Sequence, residues 1–253
     1  MKNNPSNENN CDEEFETTRP HNTGRLYEYL INYKIHTMLD IVGESFEGLR
    51  LLNVCCGSGM ETEFLAKLGA KVTGLDISEE TLARATKRAK LFNFPLETVQ
   101  GSAESLPFES NSYDYAFVHD GLHHLSDPQK GISEMARVAK KGIFFTEPAE
   151  ALITRIATRL GLAVNYEDAG NYVYRFEIRK LRELLKNLGF NKMLFKRYGM
   201  WYSHCPPRWF KLFNWSIPFV LFKFFFYLSN TLFGKFGNKI AVVAWKNDTC
   251  VIL

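Results

Sequence analysis

Two hydrophobic patterns alternate through the middle of the chain. Short apolar or β-branched runs predict strands, and apolar positions with helical spacing predict helices between most of them. The predicted strands are 49–55, 71–76, 96–100, 113–119 and 142–147, and the predicted helices are 60–68, 79–92, 129–138 and 175–188. Alternation of this kind is typical of an α/β fold with a doubly wound parallel sheet.

The pattern changes after Gly189. Two further runs, KMLFKRYG at 192–199 and KIAVVAWK at 239–246, predict two final strands with a long insertion at 200–238 between them. Residues 1–20 are rich in Asn, Glu, Thr and Pro and lack the basic and apolar regions of a signal peptide. We therefore predict a disordered tail at 1–20 and one domain at 21–253.

Composition narrows the functional classes only slightly. The chain has 253 residues, 45% of them hydrophobic, so it can bury a full core, and a formal charge of +3 does not require a nucleic-acid partner. The five cysteines are an odd number, and the adjacent Cys55 and Cys56 cannot easily pair with each other. A reducing, cytoplasmic location and small core thiols that hold no metal are therefore the expectation.

The loop after the first predicted strand has the features of a nucleoside site. Gly57 and Gly59 precede a helix, whose free N–H groups a ligand can approach closely where side chains are absent. Asp76 ends the next strand, roughly 20 residues on, where an acidic side chain can accept hydrogen bonds from ribose hydroxyls. A phosphate loop is absent, and Thr62 stands where a dinucleotide loop has its third glycine. A nucleoside without a phosphate chain is favoured over a dinucleotide.

Three ordered motifs carry a family resemblance across about residues 45–150. VCCGSG at 54–59, GLDIS at 74–78 and GSAESLPFESNSYDYAFVHDGLHHL at 101–125 resemble the class I S-adenosylmethionine-dependent methyltransferases. Within them, the chain looks like the group that includes the ubiquinone and menaquinone C-methyltransferases. The resemblance implies a Rossmann-like, seven-stranded sheet that ends in an antiparallel hairpin, here interrupted by the aromatic insertion.

The same resemblance implies S-adenosyl-L-methionine as cofactor and a set of contacts to it. The methionine part would lie against the glycine loop and the end of the fourth strand, the ribose against the acidic residue of the second motif, and the adenine against the residues that follow. Asn53 and Ser102 replace the family's usual Asp, and Cys55 its usual Gly, so the cofactor is expected to bind with reduced affinity. The implied residues are Asn53, Cys55, Gly57, Gly59, Asp76, Ile77, Ser102, Ala103 and His119.

A sulfonium methyl group is already activated, so catalysis needs alignment and, for an oxygen or carbon acceptor, a base. His119 is the first candidate because open α/β sheets bind ligands at the carboxyl ends of their strands, and His123 and Glu147 are the alternatives. His123 could instead satisfy backbone groups at a helix start, and Glu147 could act as a cap. Since HDGL at 119–122 differs from the [DNS]PP[YF] pattern of nucleic-acid amino methyltransferases, a small-molecule or lipid-like acceptor is expected and no nucleic acid.

The insertion is aromatic and basic. Its uncharged runs, 212–222 and 224–234, are interrupted by Lys223 and fall short of the roughly 20 apolar residues of a membrane span, which predicts peripheral binding to an anionic bilayer. A lid, a dimer contact and an RNA surface are alternatives. No acidic residue occurs between Glu183 and Asp248, whereas the following are basic: Lys186, Lys192, Lys196, Arg197, Arg208, Lys211, Lys223, Lys235, Lys239 and Lys246.

Two further alternatives concern activity, and one concerns the last residues. The domain could be a catalytically silent cofactor- or partner-binding member of the fold, or another nucleoside or dinucleotide enzyme. Cys250-Val-Ile-Leu253 matches a prenylation box, with a hydrophobic tail extending the final strand as the alternative.

Overall fold

A seven-stranded sheet forms the centre of the protein in a computed structural model, which describes residues 12–161, 173–201 and 204–246. The order of the strands is β3-β2-β1-β4-β5-β7-β6. The first five strands in this order are parallel to one another, and β7 is antiparallel to both β5 and β6. The predicted α/β fold with a C-terminal antiparallel pair is confirmed. The strands are β1 Arg50–Val54, β2 Lys71–Asp76, β3 Glu97–Gln100, β4 Tyr113–His119, β5 Ala139–Pro148, β6 Lys192–Tyr198 and β7 Lys239–Trp245.

Helices cover both faces of this sheet. The four that the sequence pattern predicts are present, with bounds that differ from the prediction by at most three residues. Four more occur in the described part of the chain: two before the first strand, one after β5 and one in the insertion. The helices are α1 Glu13–Thr18, α2 Arg25–Asp40, α3 Met60–Lys67, α4 Glu79–Leu91, α5 Pro128–Val138, α6 Leu152–Arg159, α7 Ile178–Asn187 and α8 Ser216–Phe233.

Side chains that alternate along the strands divide between two cores. Ile143 and Phe145 of β5 pack on the face covered by α5 and α7. Phe144, between them, lies on the opposite face, which α2 covers through Leu30 and Ile31. Because successive strand residues point to opposite faces, a fully buried central strand is apolar at every position, as β5 is over 143–145.

The expected disorder of residues 1–20 is wrong for the part that is described. Asp12 caps α1 by accepting a hydrogen bond from the Phe15 amide at 2.9 Å. The helix is tied to α4, since Arg88 donates to the Thr17 carbonyl oxygen at 2.8 Å and Lys87 contacts Glu13. Tertiary contacts therefore order a segment whose composition alone suggested a disordered tail. Residues 1–11 lie outside the described part of the chain.

Within the insertion, Ser216–Phe233 form one long helix, α8, against α2. Phe219, Phe222 and Phe226 of α8 pack edge-on against Tyr29 at 5.8–6.4 Å between ring centroids. By length and composition, the 21 residues Ser216–Phe236 could cross a membrane, so the sequence argument against a span of sufficient length was wrong. Pro218 does not interrupt the helix because it lies in the first turn, where N–H groups have no helical partner.

The cysteines depart from the sequence expectation at one position. Cys55 and Cys56 are free thiols, but Cys205 is disulfide-bonded, so the expectation of reduced cysteines does not hold throughout. The proposed prenylation site at Cys250 lies outside the described residues.

Candidate active site

A cavity of about 960 Å³ opens at the carboxyl ends of the central strands. Loops after β1, β2, β3 and β4 form one side of it, and α2 and the first residue of β7 contribute lysines to it. Such a crevice is where open α/β sheets bind ligands. Of the residues predicted from the sequence, the cavity is lined by Cys55, Gly57, Asp76, Ile77, Ser102, Ala103, His119 and His123.

The loop after β1 presents its backbone to this cavity. Gly57 has a positive φ of 52°, and a Cβ atom added there would meet nothing within 4 Å, so its backbone is open to a ligand. The Gly57 amide donates to Asp76 Oδ2 at 3.0 Å, and the Ser78 amide donates to Asp76 Oδ1 at the same distance. Each carboxylate oxygen retains capacity to accept a second hydrogen bond, so Asp76 is held in place with room for ribose hydroxyls.

Apolar surface adjoins this carboxylate. Ile77 is 72% exposed although it follows a buried strand, and Ala103 and Ser102 lie on the same cavity. A large apolar side chain exposed at a cavity wall is suited to contact a flat ring such as adenine. The first loop, Asp76 and this wall together fit a nucleoside cofactor.

His119 and Glu61 form a buried pair on the cavity wall. His119 Nδ1 lies 2.7 Å from Glu61 Oε1, and the side chains are 4% and 11% exposed. His119 Nε2 is buried and has no hydrogen-bond partner among the described residues. Burial alone would raise the pKa of Glu61, but the charge and hydrogen bond of His119 outweigh it and hold that pKa below its usual value. An ionised Glu61 keeps a proton on Nδ1, so in the neutral imidazole Nε2 is the acceptor.

His123 and Glu147 form a second pair, in which Glu147 lies behind the cavity wall. His123 Nδ1 lies 2.7 Å from Glu147 Oε2, while the amides of Gly121 and Leu122 donate to Glu147 Oε1 at 2.9 and 2.7 Å. Glu147 is fully buried and absent from the cavity lining, whereas His123 reaches it. The three donors hold Glu147 as the anchor of the turn after β4, away from the position of a base.

Two other predicted residues lie behind the cavity. Asn53 is buried and donates its side-chain amide to Thr62 Oγ1 at 2.8 Å, so it joins β1 to α3 and does not reach a ligand. Gly59 has a φ of 77°, and a Cβ there would lie 3.2 Å from Ala85 Cβ. The close packing of α4 on the loop therefore accounts for Gly59, and neither residue lines the cavity.

Three residues that the sequence analysis did not assign to the site bring opposite charges together in the cavity. Asp120 follows His119, and its two carboxylate oxygens contact the ammonium groups of Lys34 and Lys239. Burial alone would raise the pKa of Asp120, but these two ammonium groups outweigh it and hold that pKa well below its usual range. Only their contacts in space could identify the lysines, because Lys34 lies on α2 and Lys239 at the start of β7.

The thiol beside the loop is not activated. Burial raises the pKa of the Cys55 thiol, and the charge of Asp76 adds to that shift, so a nucleophilic thiolate is disfavoured. Within the described ranges, no group of three His, Cys, Asp or Glu side chains is arranged to hold a metal ion. Cys55 therefore contributes shape to the cavity wall.

Comparison with known proteins agrees with this geometry. A family model described as a methyltransferase domain matches residues 52–146. A demethylmenaquinone methyltransferase of Staphylococcus haemolyticus is 30% identical over 222 residues, which cover 76% of this chain and 92% of that protein. One from Desulfitobacterium hafniense is 38% identical over 104 residues, and there the match spans 39% of this chain and 41% of the relative.

A solved structure extends the comparison to the fold. The magnesium protoporphyrin IX methyltransferase of Synechocystis, determined with bound S-adenosylhomocysteine, superposes with a TM-score of 0.62 at 18% identity. The superposition covers 93% of this chain and 94% of that one. Together with the Staphylococcus relative, matched over nearly its whole length, these findings show that the chain belongs to the S-adenosylmethionine-dependent methyltransferase family.

Proposed function

We propose that this protein transfers a methyl group from S-adenosylmethionine to a ring carbon or hydroxyl oxygen of a lipid-like aromatic acceptor, at a membrane surface. The observation that carries the proposal is the buried Glu61–His119 pair, whose Nε2 atom is without a partner among the described residues of the cavity wall. The name of the Staphylococcus relative suggests the acceptor class, a reduced naphthoquinone with a prenyl tail.

The cofactor would lie along the carboxyl ends of β1 and β2. Asp76 binds the ribose hydroxyls, Ile77 and Ala103 contact the adenine, and Ser102 lies at its edge. Gly57 and Cys55 border the methionine part. The fixed Asp76 carboxylate and the open Gly57 backbone support this assignment. When bound, the cofactor supplies a methyl carbon that is already activated for transfer.

His119 is the proposed base. Its Nε2 atom accepts the proton of an aromatic hydroxyl, and the freed electron pair moves into the ring and gives the neighbouring carbon its nucleophilic character. Glu61 stabilises the imidazolium that forms, because its carboxylate faces Nδ1. After methyl transfer, the proton of the substituted carbon passes to solvent, which restores the aromatic ring, and the His119 imidazolium returns its proton to the ring oxygen. For an oxygen acceptor, the same proton removal generates the nucleophile directly.

His123 and Glu147 help to position the methyl acceptor. Glu147 holds the backbone of Gly121 and Leu122, and His123 packs beside His124 with 4.0 Å between ring centroids. Both histidines line the cavity, so they would contact the acceptor's ring. In this arrangement, Glu147 acts through the turn that it anchors.

The exposed face of α8 supports attachment to a bilayer. Its inner side packs on α2 through Phe219, while Phe224 and Phe225 are 58% and 61% exposed. A helix with one face on the protein and an apolar face outward is suited to lie in the interface of a bilayer and not to cross it. Other exposed apolar side chains near or on this helix are Trp209, Leu212, Trp215, Ile217, Val220, Leu221, Tyr227, Leu228, Leu232, Phe233 and Phe236.

Charge favours an anionic bilayer as the partner of this surface. Lys211, Lys223 and Lys235 are exposed beside the apolar side chains, and no acidic residue occurs between Glu183 and Asp248. Basic side chains near a membrane contribute about 1 kcal/mol each with anionic lipid. A prenylated acceptor would then enter the cavity from the bilayer.

Methyl transfer tests the enzymatic proposal. Purified protein, radiolabelled S-adenosylmethionine and a reduced 2-prenyl-1,4-naphthoquinone should give a product one methyl group heavier, seen by mass spectrometry. His119→Ala should lower turnover by about 10²–10⁴-fold, the range for loss of a general base. Cofactor binding without transfer to any quinol, phenol or lipid-extract acceptor would favour the catalytically silent alternative.

Vesicle co-sedimentation tests the membrane proposal separately. The wild type should pellet with anionic vesicles, less at high salt, and a variant with Trp215, Phe224 and Phe225 changed to Ser should stay in solution. Leu68→Ser with Leu91→Ser is the matched control, because these leucines are 47% and 58% exposed elsewhere on the surface. If the wild type fails to pellet with vesicles of any composition, α8 is a lid or a dimer contact.

A further inference from the structure

Two buried lysines converge on one carboxylate inside the cavity. The side chains of Lys34 and Lys239 are 1% and 10% exposed, and each contacts a different oxygen of Asp120. Lys34 comes from α2, and Lys239 is the first residue of β7, which lies two strands from β4. A single lysine would suffice to neutralise Asp120, so the second ammonium group needs another explanation.

The donors of Lys239 exceed the acceptors that the protein offers. An ammonium group has three N–H donors, and Asp120 is the one hydrogen-bond acceptor of Lys239 within the described residues. The Glu147 carboxylate also favours the charged form of Lys239. The oxygens of Glu147, however, already accept hydrogen bonds from the amides of Gly121 and Leu122 and contact His123. Because a buried ammonium group without acceptors is costly, the remaining donors fit an anionic oxygen supplied by a ligand.

These lysines lie on the acceptor's side of the proposed reaction centre. Asp120 adjoins His119 in the chain, and its φ of 53° turns the backbone at the end of β4. β7 is three strands from β1, and at about 4.8 Å between strands Lys239 lies roughly 14 Å across the sheet from the glycine loop. Three acidic residues of the cavity lie on α3, at the end of β2 and in the loop after β3, namely Glu61, Asp76 and Glu104. The fourth, Asp120, lies between the two lysines.

We propose that Lys34 and Lys239 form a binding subsite for an anionic oxygen of the methyl acceptor, either a carboxylate or an ionised aromatic hydroxyl, with Asp120 as the residue that positions both ammonium groups. This subsite rests on the proposed function for its choice of ligand. The carboxylate of the cofactor's methionine part is the other source of such an oxygen, and the experiment below separates the two.

A pair of matched aromatic probes tests the subsite without turnover. Calorimetry on protein saturated with S-adenosylhomocysteine should show 1-hydroxy-2-naphthoate binding at least about tenfold more tightly than its neutral amide, as expected when a charged group enters a hydrogen bond. Lys239→Met and Lys34→Met should each lower the affinity for the acid at least about tenfold and leave the affinity for the amide unchanged. Each variant leaves one lysine to neutralise Asp120.

Lys246→Met is the matched control. Lys246 follows the last residue of the same strand, where it contacts Asn111 Oδ1 at 3.1 Å, and the variant should retain the preference for the acid. Equal affinity of the wild type for acid and amide, or an unchanged preference in both lysine variants, would overturn the proposal. The proposal would also be overturned if the lysine variants lost as much affinity for S-adenosylhomocysteine as for the acid. That result would assign the lysines to the cofactor's carboxylate.

The outcome is separable from the proposed activity and from folding. Absence of methyl transfer to a quinol would contradict the proposed acceptor without changing the binding of the two probes. Thermal unfolding checks each variant, and if Lys239→Met fails to fold, the wild-type preference together with Lys34→Met decides the question.

Discussion

Replacing Glu61 with Gln isolates the charge that faces His119. The carboxylate lies 2.7 Å from His119 Nδ1 in a place where both side chains are nearly excluded from water. An amide of the same shape removes the negative charge, and by turning its NH₂ group toward Nδ1 it favours a proton on Nε2. Both effects act against the form of His119 that accepts a proton from the substrate.

The size of the effect follows from this one contact. A hydrogen bond to a charged group contributes about 1.5–3 kcal/mol, and the Glu61 contact reaches that strength when the imidazolium forms. Since 1.36 kcal/mol changes a rate tenfold, we expect Glu61→Gln to lower kcat by about 10- to 150-fold. KM for the cofactor should change little, because the glycine loop and Asp76 are unaltered.

The assay compares turnover with cofactor binding. Methyl transfer to a reduced 2-prenyl-1,4-naphthoquinone gives kcat, and calorimetry with S-adenosylhomocysteine gives Kd. Glu79→Gln is the control, because Glu79 also lies in the first turn of a helix but is exposed on α4. An unchanged kcat would make the pair purely structural, and a parallel loss of cofactor affinity would place His119 on the cofactor and not on the acceptor.

Three further changes test other parts of the molecule. Asp76→Ala should weaken S-adenosylhomocysteine binding by about 1–3 kcal/mol, or roughly 5- to 150-fold in calorimetry, and an unchanged Kd would contradict the ribose assignment. Arg88→Leu should cost about 3 kcal/mol of unfolding free energy in urea titrations, the low end for breaking a buried pair, because Glu63 loses its 2.8 Å partner but keeps Lys67; a loss below about 1 kcal/mol would contradict this. Asp120 has a folded pKa held below its unfolded value of about 3.9, so its stabilisation is complete above that pH and is lost as the pH falls through the folded pKa. Asp120→Asn should therefore flatten the stability profile between about pH 5 and pH 2, and an identical profile would contradict the coupling.

Local pattern determined most of the sheet and the first half of the site. The strands and the helices between them follow from hydrophobic periodicity, which each segment carries within itself. The position of Asp76 follows from the spacing between a glycine turn and the end of the next strand, and the structure joins the two through the Gly57 amide. These features need only neighbouring residues, so the sequence suffices to find them.

Of the four helices that the sequence pattern did not predict, α2 and α8 have a masked periodicity. The buried stripe of α2 contains Lys34, and its outer face carries Tyr29 and Tyr33 where polar residues would be expected. Apart from Lys223 and a few hydroxyl and amide side chains, α8 is apolar on every side, so no stripe distinguishes its inner face. In both helices, contacts with other elements give each residue its environment.

The chemistry of the site depends on residues that are far apart in the chain. Glu61 and His119 meet because β1 and β4 are neighbours in the sheet, and Lys34 reaches Asp120 because α2 covers the same face. Lys239 contacts Asp120 only because β7, which follows the insertion in the chain, pairs with β5. Strand order and helix docking are set by burial of the whole core, so a local motif can indicate that a histidine lies in the crevice, but only the tertiary structure decides which carboxylate orients it and which cations surround its neighbour.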